Sequence, residues 1–559
     1  MSPDTAEPEA TSDRTVLYRG GAVHSPADPF ATALLVHGDT VAWVGSDDAA
    51  AGHAPHADEV VELDGALVTP AFVDAHAHTT ETGLALAGVD LTGARSVDEI
   101  LRLVEQAVRR GGGRPVLGHG WDERLLAEGR PPTRAELDRA SYGGAVYLSR
   151  IDVHSAVVSS ALAAAAGLRE LDGWDDAGRV ERDAHHAARA ATRDGISDGA
   201  RRELQLTALT AAARAGVGAL HEMSAPHIAP ERDLSALLDL VQSRRVTGGP
   251  ALPDVVGYRG QLVAAAQEVA ELVARLALPE RVRLHGLAGD LCADGSIGSR
   301  TAALRAPYAD DPGTSGHLYL TADQVAAHVV ACTEAGLQAG FHVIGDAALD
   351  EVLRGFAAAA AQVGEQALRR RRHRLEHVEM VDADAVAELS RLGVHASVQP
   401  AFDALWGGPS GLYAERLGTD RAVAMNPFAS LAAAGVPLAL GSDSPVTPFD
   451  PWGAVAACVF HTAEQQRTSA RAGFTAHTRG AWRAAGYDER GVLVPGAPAT
   501  YAVWSTGDLV VQAPDDRIQA WSTDPRSGTP GLPDLSPGVP RPTCLRTVVR
   551  GRVAHDMMG

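Results

Sequence analysis

The stretch Asp74-Ala75-His76-Ala77-His78 stands at the end of a predicted strand, Ala66–Asp74, whose apolar residues are typical of a buried position. Successive side chains of a strand point to opposite faces, so His76 and His78 share one face with Asp74 behind them. Two imidazoles placed in this way can chelate one metal ion. An isolated His-x-His pair is more often a hydrogen-bonded surface pair, so the position of this strand in the fold decides between the two interpretations.

Seven further apolar runs end in polar or glycine residues and alternate with Ala-rich segments that have the pattern of helices. These runs are Val217–His221, Asp254–Tyr258, Arg283–Asp290, Leu337–His342, His373–His377, His395–Gln399 and Pro437–Ser442. Eight strand–helix units predict an α/β fold, a distorted (β/α)₈ TIM barrel over residues 66–490. In such a barrel the reactive groups lie at the C-terminal ends of the strands and on the loops that follow.

The interval between the first two predicted strands, from Asp74 to Val217, is far longer than the roughly 30 residues that a strand-helix-strand unit needs. We therefore predict an inserted subdomain over about residues 90–202. Insertions after barrel strands overhang the active face, so this one is a candidate lid.

The segments on both sides of the predicted barrel region have a different sequence pattern. Short β-type runs broken by Gly, Asp and Pro occupy residues 15–65 and again residues 491–559. The two ends are expected to pair into one small β-sandwich that neither completes alone. Residues 1–14 are polar and acidic, and we expect them to be disordered.

Composition narrows the classes of function. The 559 residues are 45% hydrophobic and 21% charged, which is ordinary for a globular protein. The 49 basic and 70 acidic residues give a net charge of -21, which argues against nucleic acid or an anionic membrane as a partner and favours a small molecule. Four widely spaced cysteines, no long apolar run and no secretory signal predict a cytoplasmic protein without a disulfide framework.

Four more candidate ligands lie at the ends of later strands: Asp290, His342, His377 and Asp443. Each alone has an ordinary explanation as a hydrogen-bonded polar residue or a turn residue. Five strand ends that all supply nitrogen or oxygen ligands toward one axis are much harder to explain by packing. The set predicts a divalent metal site of the kind that Zn²⁺ prefers, with Mn²⁺ or Fe²⁺ as substitutes.

The chain resembles the amidohydrolase superfamily, and specifically amidohydrolase family 3, the group that includes N-substituted formamide deformylases and exoenzyme regulatory proteins. The motifs that carry this resemblance extend over nearly the whole chain. They are Thr69-Pro70-Ala71-Phe72-Val73-Asp74-Ala75-His76-Ala77-His78, Gly120-Trp121-Asp122-Glu123, Ala293-Asp294-Gly295-Ser296-Ile297-Gly298-Ser299-Arg300-Thr301-Ala302, His342-Val343-Ile344-Gly345-Asp346-Ala347, Arg374-Leu375-Glu376-His377, Val398-Gln399-Pro400 and Gly441-Ser442-Asp443-Ser444-Pro445.

The resemblance implies a distorted barrel beside a β-sandwich, with divalent metal at the strand ends. It implies that His76 and His78 hold the more buried metal and that His342 and His377 hold a second metal where one exists. It also implies that Asp443 binds metal and takes a proton from the attacking water, so Asp443 and His377 are the catalytic candidates.

One position departs from the family pattern. Many relatives place a lysine on the fourth strand, and its carboxylated side chain bridges two metals, whereas this chain has Asp290 there and contains no lysine at all. A carbamate bridge is therefore excluded. The alternatives are a carboxylate bridge by Asp290, a thiolate from Cys292, or a single metal. We prefer Asp290, because a cysteine in an apolar strand is more often a small buried hydrophobic residue.

Five further residues are candidates for substrate binding: Trp121, His154, Ser299, Arg300 and Gln399. Trp121 and His154 lie in the insert, and the alternative is that they hold the insert together. Ser299 and Arg300 follow the fourth strand, and the alternative is that they fix the long loop over residues 303–320.

Three other histidines receive a weaker interpretation. His221 is expected near the mouth of the barrel because it ends the second predicted strand. His185 and His186 lie in a polar helical segment and are expected on the solvated surface.

The function predicted from these features is a metal-dependent hydrolase that cleaves a non-peptide C–N bond by activating water. An aminohydrolase, an esterase or a lyase on the same scaffold is the first alternative, since metal-activated water attacks all of these electrophiles. A catalytically idle metal-binding regulatory protein is the second. The sequence names no substrate, and the resemblance makes a homodimer plausible.

Overall fold

The computed structural model describes residues 14–111, 114–247, 249–280, 282–512, 521–522 and 530–558. The segment expected to be disordered, residues 1–14, lies outside the described residues except for Arg14.

Eight parallel strands form one sheet, and neighbouring strands in the sheet are consecutive in the chain. We number them β1 to β8: Phe72–Ala77, Val217–Ser224, Asp254–Arg259, Gly286–Leu287, Gln338–Val343, Arg374–His377, His395–Val398 and Leu438–Leu440. The sheet closes just beyond β1 and β8, where the His78 N–H donates to the Ser444 carbonyl at 2.9 Å and the Asp443 N–H donates to the His76 carbonyl at 2.8 Å. The predicted (β/α)₈ barrel is confirmed.

Strands β1, β2, β5, β6 and β7 are buried along their whole length. This agrees with a parallel sheet that is covered by helices on one face and filled by side chains on the other. The helices outside the insert are Asp47–Ala50, Thr79–Ala87, Asp198–Arg214, Glu231–Thr247, Ala266–Leu276, Ala322–Ala335, Asp346–Val363, Glu365–Arg371, Ala383–Leu392, Pro400–Trp406, Leu412–Leu417, Thr419–Ala422, Phe428–Ala433, Pro451–Val459, Ala470–Thr475 and Ala481–Ala484.

All eight barrel strands differ from their predicted bounds by at least one residue, and two of these differences have a clear structural cause. The run Ala66–Asp74 splits at Ala71, because Leu67–Pro70 pairs with a strand from the other chain end and β1 begins only at Phe72. Strand β4 ends at Leu287 rather than Asp290. Gly289 has a φ of +87°, which turns the chain out of the sheet before Asp290.

The predicted insert is a separate layer with its own five-stranded sheet. Its strands are Val89–Asp90, Val116–Trp121, Val146–Arg150, Ser155–Val158 and Arg179–Glu181, and its helices are Val97–Gly111, Arg134–Ala140, Ser160–Ala165 and Arg182–Arg193. Buried apolar residues from both faces of this sheet form two small cores that are distinct from the barrel core.

The two chain ends share sheets beside the barrel. A four-stranded sheet contains Thr15–Arg19, Ala33–His37, Thr40–Gly45 and Glu59–Glu62. A five-stranded sheet contains Ala22–Val23, Leu67–Pro70, Tyr501–Ser505, Thr543–Val549 and Arg552–Asp556. A small sheet contains Leu509–Gln512, Trp521–Ser522 and Leu532–Pro533. The antiparallel pairing of Leu67–Pro70 with Tyr501–Ser505 joins the N-terminal and C-terminal segments directly. Among the described residues, no helix combines the length and the apolar character that crossing a membrane requires.

Candidate metal centre

Six of the predicted ligands converge at the C-terminal end of the barrel. They come from β1, from the turn after β4, from β5, from the end of β6 and from the turn after β8, and they are His76, His78, Asp290, His342, His377 and Asp443. All six are buried, with 9% or less of each residue exposed. Two groups of three have ligand atoms within 4.8 Å of one another: His76, His78 and Asp443, and His76, Asp290 and His377.

The first group has the spacing of a metal site. The Nε2 atoms of His76 and His78 lie 3.4 and 3.2 Å from Asp443 Oδ1. Ligand atoms around a tetrahedral ion with bonds of about 2.0–2.1 Å are separated by about 3.3 Å. The Nε2 atom of His76 is buried and has no hydrogen-bond partner, which would be costly unless a cation satisfied it. These residues therefore fit a divalent metal ion.

Asp290 lies between this group and the other two histidines. Its Oδ2 is 3.2 Å from His78 Nε2, and its Oδ1 is 3.8 Å from His342 Nδ1 and 4.0 Å from His377 Nε2. The Cys292 Sγ instead lies 3.8 Å from His227 Nε2, outside the ligand groups. Burial and neighbouring carboxylates raise the pKa of the Cys292 thiol well above its usual value. The geometry favours Asp290 over Cys292 at the position of the missing lysine.

Three of the four candidate histidine ligands are oriented by a second contact on the far nitrogen of the ring, whereas the far nitrogen of His78 is buried without a hydrogen-bond partner. Glu376 Oε2 lies 2.9 Å from His76 Nδ1, and Gln399 Oε1 lies 2.8 Å from His377 Nδ1. The Gly295 carbonyl lies 3.2 Å from His342 Nε2. Such contacts fix the tautomer, so the nitrogen that faces the centre keeps its lone pair for a metal.

Arg374 supports this arrangement from inside the barrel. Its guanidinium donates to Glu376 Oε1 at 2.6 Å, to the Ala75 carbonyl at 2.7 Å and to His221 Nδ1 at 2.9 Å. Burial would raise the pKa of Glu376, but Arg374 and His76 outweigh it and lower that pKa to about 2. Glu376 is therefore an anion that can hold the His76 ring as a hydrogen-bond donor.

The backbone turns sharply at two of the ligands. His377 has a φ of 71° and Asp443 a φ of 56°, the left-handed region that non-glycine residues rarely adopt. Asp74 Oδ1 ties β1 to β8, since it accepts the His76 N–H at 3.2 Å and the Ser442 N–H at 2.9 Å. Gly441 allows this approach, because a Cβ there would lie 2.5 Å from the His76 nitrogen.

The profile of the amidohydrolase family matches residues 59–555. The chain belongs to the amidohydrolase family. This match confirms the predicted family and the predicted class of enzyme, a hydrolase of the amidohydrolase type.

Three relatives illustrate the range of proteins similar to this amidohydrolase. The Arabidopsis thaliana protein LONG AFTER FAR-RED 3 is 28% identical over 506 residues, which cover 86% of this chain and 84% of that protein. The N-substituted formamide deformylase of Arthrobacter pascens is 26% identical over 76% of this chain and 80% of its own length. A crystal structure of an uncharacterized metal-dependent hydrolase from Pyrococcus furiosus superimposes with a TM-score of 0.68 at 27% identity, covering 88% of this chain and 98% of that one.

The insert of this amidohydrolase reaches over the metal centre with His154. The rings of His154 and His342 have centroids 5.3 Å apart, and burial lowers the pKa of His154 to about 4. A buried ionic network joins the insert to the barrel loops, since Glu123 pairs with Arg150 at 2.9 Å within the insert and with Arg416 at 2.8 Å outside it. His154 is therefore a neutral ring with a fixed position beside the candidate ligands.

Two cavities adjoin the centre on opposite sides of His154. The smaller one, about 30 Å³, is bounded by His377, Asp443 and the side chains of Ile297, Phe402, Trp406, Leu412, Tyr413 and Val446. The larger one, about 360 Å³, lies between His78, Asp290 and the insert helix Arg182–Arg193. A third cavity of about 830 Å³ lies beside β7 and β8, and none of the candidate ligands lines it.

Of the five predicted substrate-binding residues, His154 alone lines these two cavities. The prediction that Trp121 binds substrate is corrected, because this residue packs in the core of the insert and donates its indole N–H to the Leu148 carbonyl at 2.8 Å. Ser299 donates to Asp152 at 2.8 Å, and Arg300 pairs with Asp310 at 2.6 Å, so both fix the loop after β4 instead. Gln399 contacts His377 rather than a cavity.

The expectations for the other histidines also need correction. His221 lies inside the barrel, fully buried, where burial and the Arg374 charge lower its pKa well below the usual value. His185 is buried rather than solvated, and its Nε2 lies 2.8 Å from the Tyr147 hydroxyl. His186 lines the larger cavity, because the helix that carries it turns this face inward.

Several residues of the site are missing from the sequence prediction. Glu376 stands beside His377 in a quoted motif, but strand alternation alone places the two side chains on opposite faces. The left-handed turn at His377 brings both to the centre. His227 follows β2 by three residues and could have been found by the same strand-end rule as the other ligands. Arg189 and the aromatic residues Phe402, Trp406 and Tyr413 carry no recognisable spacing.

Proposed function

We propose that this amidohydrolase cleaves a non-peptide C–N bond of an amide or formamide, and that its cofactor is Zn²⁺, as one or two ions. The observation that carries the proposal is the convergence of four histidines and two aspartates beside a cavity of about 360 Å³. The similarity to an N-substituted formamide deformylase supports the formamide class.

A divalent metal bound here supplies a water of lowered pKa and polarises a substrate carbonyl. Proton transfer and the orientation of the ligands depend on residues of the chain. Asp443 is placed to accept the proton of the attacking water and to return it to the leaving nitrogen. Gln399 and Glu376 keep the rings of His377 and His76 aimed at the centre through their contacts of 2.8 and 2.9 Å.

The smaller cavity, of about 30 Å³, has room for a small apolar substituent only. Its aromatic wall includes the rings of Phe402 and Trp406, whose centroids are 4.9 Å apart, next to His377. The Phe402 and His377 rings are stacked with centroids 6.1 Å apart. An apolar group attached to the scissile bond would replace water along this wall, which favours binding and excludes competing solvent.

The test uses protein stripped of metal with a chelator and reloaded with Zn²⁺. A panel of N-substituted formamides and amides is assayed for the released amine, for formate or another carboxylate, and for ammonia. We expect amine and carboxylate to appear only after reloading. Ammonia release from heterocycles would instead favour the aminohydrolase alternative. Turnover that survives metal removal would reject the mechanism.

Three sequence predictions remain predictions: a small molecule as the partner, a homodimer and a cytoplasmic location. Size-exclusion chromatography with light scattering measures the oligomeric state directly.

A further inference from the structure

The third cavity, of about 830 Å³, is separate from the metal centre and lies beside β7 and β8. Its volume is within the range of small-ligand sites. The helices Phe428–Ala433, Pro451–Val459 and Ala470–Thr475 contribute to its walls. Its floor consists of buried apolar residues that belong to the barrel core, and these are Val398, Phe428, Leu440 and Cys458. The cavity is therefore a second place where the apolar part of a small molecule can be buried.

Positive charge surrounds this floor. The described residues that line the cavity include five arginines and no carboxylate, and the arginines are Arg369, Arg372, Arg471, Arg479 and Arg483. The chain as a whole has 70 acidic residues against 49 basic ones, so the group departs from the overall charge of the protein. Like charges that line one cavity create a local potential that attracts anions.

Two of the five arginines have no ionic partner. Arg471 lies on the helix Ala470–Thr475, and Arg479 lies in the next turn of the chain, Ala476–Gly480. Both are exposed, and no carboxylate oxygen of the described residues lies within 4 Å of either guanidinium. Their hydrogen-bond donors are therefore available to solvent or to a ligand.

The other three arginines are only partly compensated. Arg369 donates to the Arg391 carbonyl at 2.6 Å and likewise has no carboxylate within 4 Å among the described residues. Arg372 and Arg483 share one carboxylate, since Asp488 lies 2.6 Å from Arg372 Nη2 and 3.2 Å from Arg483 Nε. Three guanidiniums thus lack a carboxylate partner, and the remaining two share a single one.

A buried polar side chain without a partner lies against the same cavity. His395 begins β7, lines the cavity and is 7% exposed. Its Nδ1 is buried and has no hydrogen-bond partner, a state that is uncommon for a polar atom in a folded protein. Burial and the charges of Arg372 and Arg374 lower the pKa of His395 to about 3, so its ring is neutral. A neutral imidazole can donate one hydrogen bond to an anion.

We propose that the third cavity binds a small organic phosphate of nucleotide size, in which phosphate groups are attached to an apolar ring system. The planar guanidinium matches phosphate oxygens in charge and geometry. Three guanidiniums without a carboxylate favour a group that carries more than one negative charge. The apolar floor would receive the ring system, because burial of apolar surface favours binding. The inference concerns a site apart from the metal centre and does not depend on the proposed function.

The test is calorimetry on the Zn²⁺-loaded protein at physiological ionic strength. The probes are ADP, which has both a phosphate chain and a ring system, and its two parts, adenosine and inorganic phosphate. We expect ADP to bind at least about tenfold more tightly than either part, since neither part uses both the arginines and the floor. A protein that binds ADP no more tightly than adenosine or phosphate would overturn the inference.

A double variant tests the role of the arginines. Arg471→Gln combined with Arg479→Gln should lower the affinity for ADP by about tenfold and change that for adenosine by less than about twofold. Arg139→Gln combined with Arg169→Gln is the matched control. It removes two exposed arginines of the insert, which also have no carboxylate within 4 Å among the described residues, and should leave ADP binding unchanged. An equal loss in both double variants would reduce the effect to overall charge and overturn the site.

Hydrogen exchange locates the bound probe. ADP should slow the exchange of backbone amides in residues 468–483 beside the cavity and leave residues 74–78 at the metal centre unchanged. Slower exchange at residues 74–78 alone would assign the phosphate to the Zn²⁺ ion and overturn the inference. Hexaglutamate is a further probe. If it binds more tightly than ADP and the Arg471/Arg479 double variant abolishes this binding, the cavity is a docking site for an acidic protein segment instead.

Discussion

The strand ends of the barrel and the inserted subdomain face each other across the same centre, yet they contribute different things. The barrel supplies the six candidate ligands from strands whose spacing is imposed by the sheet. The insert supplies His154 from a loop next to Asp152, which accepts the Ser296 and Ser299 hydroxyls at 2.8 Å. It also supplies Arg189 from a helix that lines the larger cavity. We propose that the strand ends of the barrel carry the chemistry and that the insert, together with the loop after β7, selects what reaches them.

The largest loss of activity is expected from changing Asp443, a candidate ligand that the barrel supplies. Asp443→Asn removes the proposed proton acceptor while keeping a similar shape, so we expect kcat to fall by at least about 1,000-fold. The measurement is steady-state turnover together with metal content per chain. An Asn variant with normal metal content and kcat within tenfold of wild type would remove Asp443 from the mechanism.

A second test addresses Glu376, whose carboxylate orients the ring of the candidate ligand His76. Glu376→Gln weakens the contact that orients the His76 ring, and it removes the negative charge that pairs with the Arg374 guanidinium. The affinity for metal should therefore fall by about 10- to 100-fold. Competition with a chromogenic chelator measures this affinity, and circular dichroism checks the fold. Glu365→Gln, which alters a surface pair with Arg391, is the matched control. Unchanged affinity in Glu376→Gln would show that His76 needs no such support.

A third test asks whether the aromatic wall selects substrates. Trp406→Ala enlarges the smaller cavity, and we expect KM for a formamide with a small branched alkyl substituent to rise by about tenfold because apolar contact is lost. An alkyl formamide too short to reach the wall should keep its KM. If both substrates are affected equally, Trp406 contributes to folding rather than to selection.

The smallest effect is expected for Ser299, which was predicted to bind substrate but fixes the loop after β4. Ser299→Ala removes one hydrogen bond to Asp152, which still accepts the Ser296 hydroxyl at 2.8 Å. We expect the free energy of unfolding to fall by about 1 kcal/mol and kcat/KM to change by less than twofold. Denaturant titration and kinetics measure the two quantities. A selective rise in KM would return Ser299 to the binding site.

The sequence predicts the barrel side of this comparison well, because strand ends follow a physical rule. All eight strands appear in the predicted places, and the six candidate ligands come together without exception. The rule fails in detail where the backbone leaves the strand: Gly289 ends β4 early, and the left-handed turn at His377 brings Glu376 and His377 to one place. Such turns depend on contacts that are distant in the chain.

The insert side is predicted poorly, for the same reason. Trp121 matches a family position, but the match does not say whether its side chain faces the pocket or the core. His185 and His186 are adjacent and polar, which suggests solvent, yet the helix packs this face against the barrel mouth. The buried face of the helix Arg182–Arg193 includes His185, Arg189 and Arg193, residue types that usually indicate a solvated face.

The absence of lysine from this chain has a consequence for how its centre assembles. A carboxylated lysine forms by reaction of an amine with dissolved carbon dioxide, so centres that depend on it vary with bicarbonate supply. Asp290 carries its carboxylate from the moment of synthesis. We therefore expect the loading of this enzyme with metal to be independent of bicarbonate.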